Sequence, residues 1–345
     1  MTLQIVQNWI MCLKQLSYQA RKMSKIETLK LLDRDSVNAL VLPEQILYAV
    51  REAFYLHSAG DGQVFPVVRE TLSTGGIFGI KSGGIANQGV LGFKAAGFWP
   101  TNRALQGEPH QATILLIDPA TGRPLCVIDG NSITALRTGA AGALGLEMFA
   151  RRNSSQLCVF GTGVQASIQV DYALRVMSGI KRVTYLTADG VPSAQFESQF
   201  SERVSVRHSA SANDAVSQSD VVITATPGGQ VLFDLDAVQP GTHFNCVGAD
   251  TKGKREAPDG LLPKAKVFVD DKAQARQLGE TQWAPASPVT EIGDLLTGQV
   301  EFIRSANDIT LFDLTGLALQ DLTVAQLLFK QANIEGIGHD IFWPW

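Results

Sequence analysis

One segment constrains the fold more than any other: residues 157–166, LCVFGTGVQA, in which an apolar run ends in two glycines. A strand that ends in G-x-G at the start of a helix leaves the first N–H groups of that helix unpaired, and glycine lets a ligand approach them. Gly161, Gly163 and Ala166 match the pattern G-x-G-x-x-G/A, which holds a dinucleotide pyrophosphate. The segment therefore predicts a cofactor-binding turn formed by Gly161, Thr162, Gly163, Val164, Gln165 and Ala166.

Apolar strand-like runs alternate with helix-like runs after this turn. The strand-like runs include RVTYLT, VVITATP, THFNCVGAD and AKVFVDD. Such alternation is typical of a parallel sheet with helices on both faces. We therefore predict an α/β chain with a Rossmann domain over residues 151–309.

The rest of the chain has a different sequence pattern. Residues 42–59 have helical spacing and stop at Gly60, residues 65–129 are short β-rich pieces with a hairpin turn at 118–123, and residues 134–150 form a helix rich in small residues. From residue 310 a strand and then a helix follow, and the helix is expected to pack back on the first domain. In the closing HDIFWPW, Trp343 and Trp345 either anchor an interface or cover a core edge.

Composition excludes several function classes. The chain has 345 residues, 45% of them hydrophobic, a net charge of −4 and no long basic block, so we expect no nucleic-acid partner. The longest apolar runs are too short for a membrane span, and four separated cysteines favour reduced thiols in a cytoplasmic protein. The five histidines lack ligand spacing, which predicts no metal site. Residues 1–22 are interpreted as an extension of uncertain role.

The choice between NAD(H) and NADP(H) stays open at the end of the second strand-like run. An acidic residue there binds the adenosine ribose, whereas a cation favours a 2′-phosphate. Asp189 stands one or two positions late for ribose, and Lys181 or Arg182 is a candidate for the phosphate.

Several charged residues stand in otherwise apolar or glycine-rich segments. Arg69, Lys81 and Lys94 lie in the β-rich region, and Arg137 lies in the small-residue helix. A lysine such as Lys94 is costly to bury unless its charge or a lowered pKa is used. Converging cations suit a carboxylate substrate. Asp250 follows a strand of the predicted sheet, and we predict that it transfers a proton.

In their order along the chain, several stretches resemble the ornithine cyclodeaminase and mu-crystallin family: FPVVRE, GVLGFKAAGFWPTN, ILLIDPATGRPLCVIDGNSITALRTGAAGALG, VFGTGVQA, DVVITATP, GADTKGKRE and TLFDLTGLALQD. The resemblance covers residues 25–332. It implies an NAD(P)-dependent homodimer in which the Rossmann domain is inserted into a second α+β domain, residues 23–150 plus 310–345, for substrate binding and dimerisation.

The resemblance also implies roles for individual residues. Arg69 and Arg137 would bind the substrate carboxylate, Lys94 would contact the carboxylate and the reacting carbon, and Asp250 would be the acid/base at the nitrogen. Thr138 would reach the cofactor phosphate. The predicted cofactor-binding set also contains residues that follow strands of the predicted sheet, namely Asp189, Thr226 and Val247.

Members of this family share hydride transfer between the nicotinamide and the α-carbon of an amino or imino acid. We predict an NAD(P)H-dependent reductase of a small α-imino acid, most similar to the iminosuccinate reductase branch, in which Lys81 or His110 would bind a second carboxylate. The alternatives are reduction of a cyclic imine such as pyrroline-2-carboxylate, and cyclodeamination of ornithine or lysine, for which Glu70 or Glu108 would bind the distal ammonium. A non-enzymatic binding protein is a further alternative, which Lys94, Arg69, Arg137 and Asp250 together disfavour.

Overall fold

The computed structural model describes residues 28–344, so the predictions for residues 1–22 and for Trp345 lie outside the described residues. The strands of this range are β1 (Thr28–Leu32), β2 (Gly62–Val64), β3 (Val68–Thr71), β4 (Ile77–Ile85), β5 (Val90–Phe98), β6 (His110–Ile117), β7 (Pro124–Asp129), β8 (Gln156–Phe160), β9 (Arg182–Leu186), β10 (Ser205–His208), β11 (Val221–Thr224), β12 (His243–Cys246), β13 (Lys266–Val269), β14 (Val289–Glu291), β15 (Thr310–Asp313) and β16 (His339–Phe342).

The α-helices of the same range are α1 (Arg34–Leu40), α2 (Pro43–Ala59), α3 (Gly130–Phe149), α4 (Val164–Val176), α5 (Ala194–Phe200), α6 (Ala212–Ser217), α7 (Leu261–Lys264), α8 (Lys272–Leu278), α9 (Ile292–Leu296) and α10 (Ala318–Glu335). Short 3-10 helices occupy Ala86–Gln88, Pro100–Leu105, Leu235–Ala237 and Glu280–Trp283. Within residues 28–344, no helix has the length and apolar character needed to cross a membrane.

The first sheet contains strands from both ends of the described chain. Its order is β16-β1-β7-β6-β5-β4-β2, with β3 also paired to β4, and every pair is antiparallel except β1 with β7. Helix α10 packs on β4, β5 and β6, as the sequence predicted for this helix. A side chain at Gly92 of β5 would meet Leu322 of α10, which identifies the helix-covered face.

The opposite face of the first sheet is apolar and only half-buried. Residues on either side of Gly92, including Phe93, point to this face because successive side chains alternate along a strand. Phe93 lies directly opposite Leu115, which lies opposite Val127, and all three are half-buried. The sheet therefore presents an apolar surface, here called the outer face, on the side away from α10.

The second sheet is fully parallel, with the order β10-β9-β8-β11-β12-β15-β13-β14. The strand order reverses at β8, between β9 and β11, which is the point where doubly wound sheets bind ligands. The predicted α/β fold with a Rossmann-type sheet is confirmed. The chain leaves the first sheet after β7 and returns to it through α10 and β16.

Two details differ from the sequence interpretation. Strand β15 lies beyond the predicted boundary at residue 309, yet it pairs with β12 and β13, so the parallel sheet extends to Asp313. Leu311 and Phe312 are fully buried there, which explains the pairing. Residues His339–Phe342 form an edge strand beside β1, and Trp343 is 41% exposed.

Candidate active site

Three cationic side chains lie next to one another on the helix-covered face of the first sheet. Lys81 of β4 is directly opposite Lys94 of β5, and Arg69 of β3 is directly opposite Gly79, two residues before Lys81. Opposite residues, and residues two apart on one strand, share a face of the sheet. The structure therefore brings together Arg69, Lys81 and Lys94, which the sequence singled out separately.

A buried carboxylate joins Lys94 to Arg137. Asp321, in the first turn of α10, has one oxygen 2.8 Å from Lys94 Nζ and the other 3.2 Å from Arg137 Nε. Lys94 also donates to the Thr134 hydroxyl at 3.1 Å, and Arg137 donates to Gln320 Oε1 at 3.3 Å. A charged group with its counter-ion and hydrogen-bond partners in place is pre-oriented for a ligand.

Sequence reasoning assigned no role to Asp321. A signal was present, because Asp321 is the single charged residue within residues 314–329, LTGLALQDLTVAQLLF. The same isolation in an apolar segment had singled out Lys94. A buried cation and a buried anion far apart in a sequence are candidates for one ion pair, since neither is stable alone in a core.

Burial and neighbouring positive charges lower the pKa values of two lysines toward neutral pH. Burial lowers the pKa of Lys94 to about 7, with Arg137 and Lys81 acting in the same direction and Asp321 opposing them. Burial likewise lowers the pKa of Lys81 to about 8, and Arg137 and Arg69 contribute to that shift. Such shifts are common at functional sites.

Lys81 also fixes the link between β15 and α10. Its ammonium donates to the carbonyls of Thr315 at 2.9 Å and Gly316 at 2.7 Å. From the other side, the buried Asp270 carboxylate accepts the N–H groups of both residues. The link is thus held between a cation and an anion, and one N–H of Lys81 remains for a ligand.

Asp250 lies across from these cations, in the loop that follows β12, where Arg69 reaches the neighbouring Thr251. The space between this loop and the helix-covered face of the first sheet is here called the cleft. The Asp250 carboxylate is 2.7 Å from Lys254 Nζ, and Arg69 donates to the Thr251 hydroxyl. Burial opposes ionisation of Asp250, but Lys254, Arg69 and Lys81 outweigh it and lower its pKa to about 2. Asp250 is therefore a carboxylate at neutral pH, suited to pair with a protonated nitrogen.

His110 completes the candidate substrate residues at the start of β6. It lies opposite Phe98, on the same face as Lys94, and its Nδ1 is 3.0 Å from Asn131 Oδ1. Burial, together with Lys94 and Arg137, lowers the pKa of His110 below its usual value. At neutral pH it is an uncharged hydrogen-bonding group.

The glycine turn follows β8 at the point where the strand order reverses. Gly163 is the N-cap residue of α4, and no side chain caps this helix. A Cβ atom at Gly163 would meet no described atom within 4 Å, whereas Ala166 is fully buried. Gln165 Oε1 is buried without a partner among the described residues. An open glycine, free helix N–H groups and an orphaned oxygen fit the pyrophosphate of a dinucleotide.

Three other predicted cofactor residues have protein partners of their own. The Thr138 hydroxyl donates to the Thr134 carbonyl one turn earlier, at 2.6 Å. Thr226, after β11, bonds through its hydroxyl to Glu256 at 2.5 Å. Val247, after β12, is buried, and its N–H donates to the Thr224 carbonyl at 2.8 Å. Thr226 and Val247 lie at the same edge of the parallel sheet as the glycine turn, because both follow parallel strands.

The end of β9 carries the residues that bear on the ribose. Thr187 follows the strand directly, and its hydroxyl is 3.3 Å from His208 Nε2. The exposed Asp189 carboxylate accepts a backbone N–H of its own turn at 3.1 Å. Lys181 and Arg182 stand at the start of β9, at the opposite edge of the sheet, so they do not serve a phosphate at the glycine turn.

Buried carboxylates that sequence reasoning missed hold the loops at this edge. Glu256 accepts the N–H groups of Thr226 and Gly248, and Glu280 accepts those of residues 256 and 257. Asp313 accepts the N–H of Glu280 at 3.0 Å. Burial and neighbouring carboxylates raise the pKa of Glu280 to about 8. These groups tie the loops after β11 and β12 to the 3-10 helix Glu280–Trp283 and to the end of β15.

One group of potential metal ligands occurs in the described part of the chain, although the sequence predicted no metal site. Ligand atoms of His57, Asp271 and Glu291 lie within 4.8 Å of one another. Each has a protein partner: His57 Nε2 is 3.0 Å from Asp271, Asp271 caps α8, and Glu291 accepts the Lys272 N–H. The group links α2 to the second sheet.

A family model described as ornithine cyclodeaminase/mu-crystallin family matches residues 27–335. The chain belongs to this family. The match spans every strand of both sheets except β16, contains every candidate residue described above, and confirms the predicted resemblance.

Family members with assigned names differ in their reactions. The chain is 33% identical over 323 residues to an alanine dehydrogenase of Archaeoglobus fulgidus, covering 92% of this chain and 98% of the relative. It is 32% identical over 325 residues to an iminosuccinate reductase of Paracoccus denitrificans, covering 88% and 97%. An ornithine cyclodeaminase of Agrobacterium fabrum is 32% identical over 255 residues, covering 72% and 71%.

Solved structures of two relatives share the fold over most of this chain. An archaeal alanine dehydrogenase dimer with bound NAD superposes with a TM-score of 0.85 at 32% identity, over 91% of this chain and 99% of that chain. The iminosuccinate reductase of Paracoccus denitrificans in complex with NAD+ gives a TM-score of 0.82 at 30% identity, with the same coverage of both chains.

Proposed function

We propose that this family member is an NAD(P)H-dependent imine reductase that converts iminosuccinate to L-aspartate. One observation carries the proposal: four cations and a carboxylate face one another across a cleft whose edge also bears the dinucleotide turn. The relatives named as alanine dehydrogenase and iminosuccinate reductase support an enzyme acting on α-amino or α-imino acids.

The α-carboxylate of the substrate binds Arg69, Arg137 and Lys94. Arg137 and Lys94 are held at a fixed separation by Asp321, so they need no rearrangement to receive a second anion. Guanidinium groups bind carboxylates with two parallel hydrogen bonds, which orients the substrate as well as holding it.

The imine nitrogen binds Asp250. As a carboxylate, Asp250 stabilises the protonated imine, whose carbon is a better hydride acceptor than that of the neutral form. Bound reduced nicotinamide supplies the hydride to that carbon. Hydride addition leaves a neutral amine, which takes one proton from water to become the ammonium group that Asp250 holds until product release. In the reverse direction a water molecule oriented by Asp250 removes that proton.

A distal carboxylate fits the remaining polar groups of the cleft better than a distal ammonium does. Lys81 keeps one free N–H, and His110 offers a neutral hydrogen-bonding ring. The acidic residues considered for ornithine face elsewhere: Glu70 is exposed on the face opposite Arg69, and Glu108 pairs with Arg34 at 3.1 Å. This contrast favours the reductase over the cyclodeaminase.

We propose NADH as the preferred form of the cofactor. A 2′-phosphate calls for a cation at the end of β9, and the residues there are Thr187, His208 and Asp189. The two cations considered from the sequence, Lys181 and Arg182, stand at the far end of the strand. The bound NAD of two neighbouring structures agrees with this choice.

We also propose a homodimer formed through the outer face of the first sheet. Phe93, Leu115 and Val127 form an apolar strip across three strands, and a strip of this kind is costly to leave in water. The archaeal alanine dehydrogenase neighbour is a dimer.

The cysteines bear on localisation. Within the described residues, Cys126, Cys158 and Cys246 are buried free thiols, which fit a cytoplasmic protein.

The test follows the absorbance of reduced nicotinamide with purified protein, NADH or NADPH, and a panel of imines. Oxaloacetate with ammonium generates iminosuccinate, pyruvate with ammonium generates the alanine-type imine, and pyrroline-2-carboxylate is added preformed. We expect one NADH consumed per product with oxaloacetate and ammonium, and slower oxidation of NADPH.

Two results would overturn the proposal. Oxidation confined to pyruvate with ammonium or to the cyclic imine would assign another substrate. Ammonia release from ornithine or lysine with catalytic NAD and no net cofactor consumption would assign a cyclodeaminase.

A further inference from the structure

Lys254 is a cation that sequence reasoning left without a role, on the wall of the cleft that bears Asp250. Its Nζ lies 2.7 Å from the Asp250 carboxylate, and its side chain is 30% exposed. The other site cations, Arg69, Lys81, Lys94 and Arg137, belong to the first sheet and α3. Lys254 therefore approaches a substrate from the opposite side.

The backbone of Lys254 is fixed, whereas its ammonium has a single charged partner in the structure. Trp283 Nε1 donates to the Lys254 carbonyl at 2.8 Å, and the Gly253 N–H donates to Gln282 Oε1 at 2.7 Å. A Cβ atom at Gly228 would meet the Lys254 Cδ at 3.1 Å, so the aliphatic stem packs over that glycine. Rotation of the terminal bonds is enough to move the ammonium.

A protonated imine at Asp250 changes the partner of Lys254. The carboxylate has one charge to share, so a cationic substrate nitrogen competes directly with the Lys254 ammonium. A released ammonium beside the substrate needs a new anion, because the cleft already holds several positive charges. A substrate that supplies this anion next to its own nitrogen replaces one ion pair by two.

From this arrangement we propose that Lys254 selects dicarboxylic imines by binding the distal carboxylate, which Lys81 and His110 contact from the facing wall. The inference rests on the proposed imine reductase function and names a determinant of its substrate class. In a four-carbon dicarboxylic imine, only two carbon atoms separate the nitrogen from the distal carboxylate carbon. Nitrogen and carboxylate then face Asp250 and Lys254, which are themselves in contact. An alanine-type imine has a methyl group there and gains nothing from Lys254.

The experiment compares Lys254→Met with Lys252→Met, a control two residues earlier on the exposed part of the same loop. Initial rates are measured with NADH and either oxaloacetate plus ammonium or pyruvate plus ammonium. For Lys254→Met we expect KM for the dicarboxylic substrate to rise about tenfold to a hundredfold, as for loss of a charge-assisted hydrogen bond. KM for the pyruvate-derived substrate should stay within about twofold of wild type.

Lys254→Arg should recover most of the lost affinity, and Lys252→Met should match wild type with both substrates. Thermal melting checks that each variant is folded. An equal loss with both substrates, or no loss with either, would overturn the assignment, because Lys254 would then act only on Asp250 or not at all.

Calorimetric binding of L-aspartate, which carries both a cationic nitrogen and a distal carboxylate, to the NADH-bound protein separates this inference from the proposed function. If wild-type protein fails to reduce the oxaloacetate-derived imine but binds L-aspartate through Lys254, the proposed function fails and the dicarboxylate site stands. If L-aspartate binding is unchanged in Lys254→Met, the dicarboxylate site is overturned whatever the reaction.

Discussion

Lys94 is a buried lysine whose charge is close to being lost at neutral pH. Below its pKa of about 7 it is an ammonium that attracts a carboxylate, and above that value it is a neutral amine. We therefore expect succinate affinity for the NADH-bound protein to fall roughly tenfold between pH 6 and pH 8. Lys81, whose pKa is about 8, also loses its charge near pH 8, which makes the fall in succinate affinity steeper there.

Calorimetric titrations across this range check the expectation. Lys94→Met should bind succinate more weakly at pH 6 and lose the decline centred on pH 7, because the titrating group is gone. A succinate affinity of the wild-type protein that does not change with pH would contradict a role for the Lys94 charge in binding.

Asp250 is expected to matter for turnover and little for cofactor binding. In Asp250→Asn, the amide cannot stabilise a protonated imine or accept a proton, so kcat should fall about a hundredfold or more. NADH affinity, measured by fluorescence titration, should stay close to wild type. Undiminished turnover would remove Asp250 from the mechanism.

Buried charged residues could be found in the sequence where a charge interrupts an apolar segment, as at Lys94 and Arg137. Asp321 was missed because its partners, Lys94 and Arg137, lie far away in the sequence and only the fold reveals those contacts. Lys254 was missed although its partner Asp250 is only four residues away, because a lysine in a charged loop has no residue pattern that sets it apart. Glu280 was hidden for a different reason: its partners are backbone N–H groups, which leave no mark on residue type.

At the scale of elements, the two glycines of the cofactor turn have different reasons to be glycine. Gly161 has φ +102°, and a Cβ atom there would lie 2.7 Å from the Ala225 carbonyl. Gly163 has ordinary φ, and a Cβ atom there would meet open space. The first glycine is required by the protein's own backbone, and we propose that the second is required by the cofactor.

Alanine substitutions test this difference. Gly161→Ala should lower the free energy of unfolding by about 1 kcal/mol or more, through positive φ and the backbone clash. Gly163→Ala should leave urea denaturation unchanged but weaken NADH binding about tenfold or more, since the methyl group occupies the pyrophosphate approach. Unchanged NADH affinity in Gly163→Ala would argue against a cofactor at this turn.

Elements with strong local signals matched the sequence predictions. Helix α2 ends before Gly60, whose φ of +79° closes the helix, and the hairpin turn between β6 and β7 spans Asp118 to Arg123. Helix α3 begins four residues before its predicted start because Asp129 caps it. Strand β16 had no such signal, because its four residues are exposed and it is held by β1.

For the whole molecule, the outer face of the first sheet predicts the assembly. Phe93→Glu places a charge in the middle of the apolar strip, where a partner would have to bury it. We expect the dissociation constant of the dimer to rise at least about tenfold, as measured by size-exclusion chromatography with light scattering over a range of concentrations.

Ile303→Glu is the matched control, because Ile303 is 88% exposed and lies outside this strip. It should leave the assembly unchanged. A Phe93→Glu protein that stays dimeric while folded would mean that the subunits associate elsewhere.

Alternation along the sequence was enough to predict the parallel arrangement of β8 to β13, because these strands come from one stretch of chain. Strand β14 was not predicted, and β15 was assigned to the other domain. The first sheet was predicted only as β-rich pieces with a returning helix. Its order depends on pairing between distant segments, which periodicity does not encode.

The pairing of β1 with β16 has a consequence for how the molecule forms. Lys30 and Asp340, which bond across these strands, are 310 positions apart. Contacts this distant in sequence form late, since closing so long a loop is entropically unfavourable before the intervening chain is compact. During synthesis, the parallel sheet can therefore assemble while β1 still lacks its edge partner. We expect hydrogen exchange in a refolding experiment to protect β8, β11 and β12 first, and β1 last.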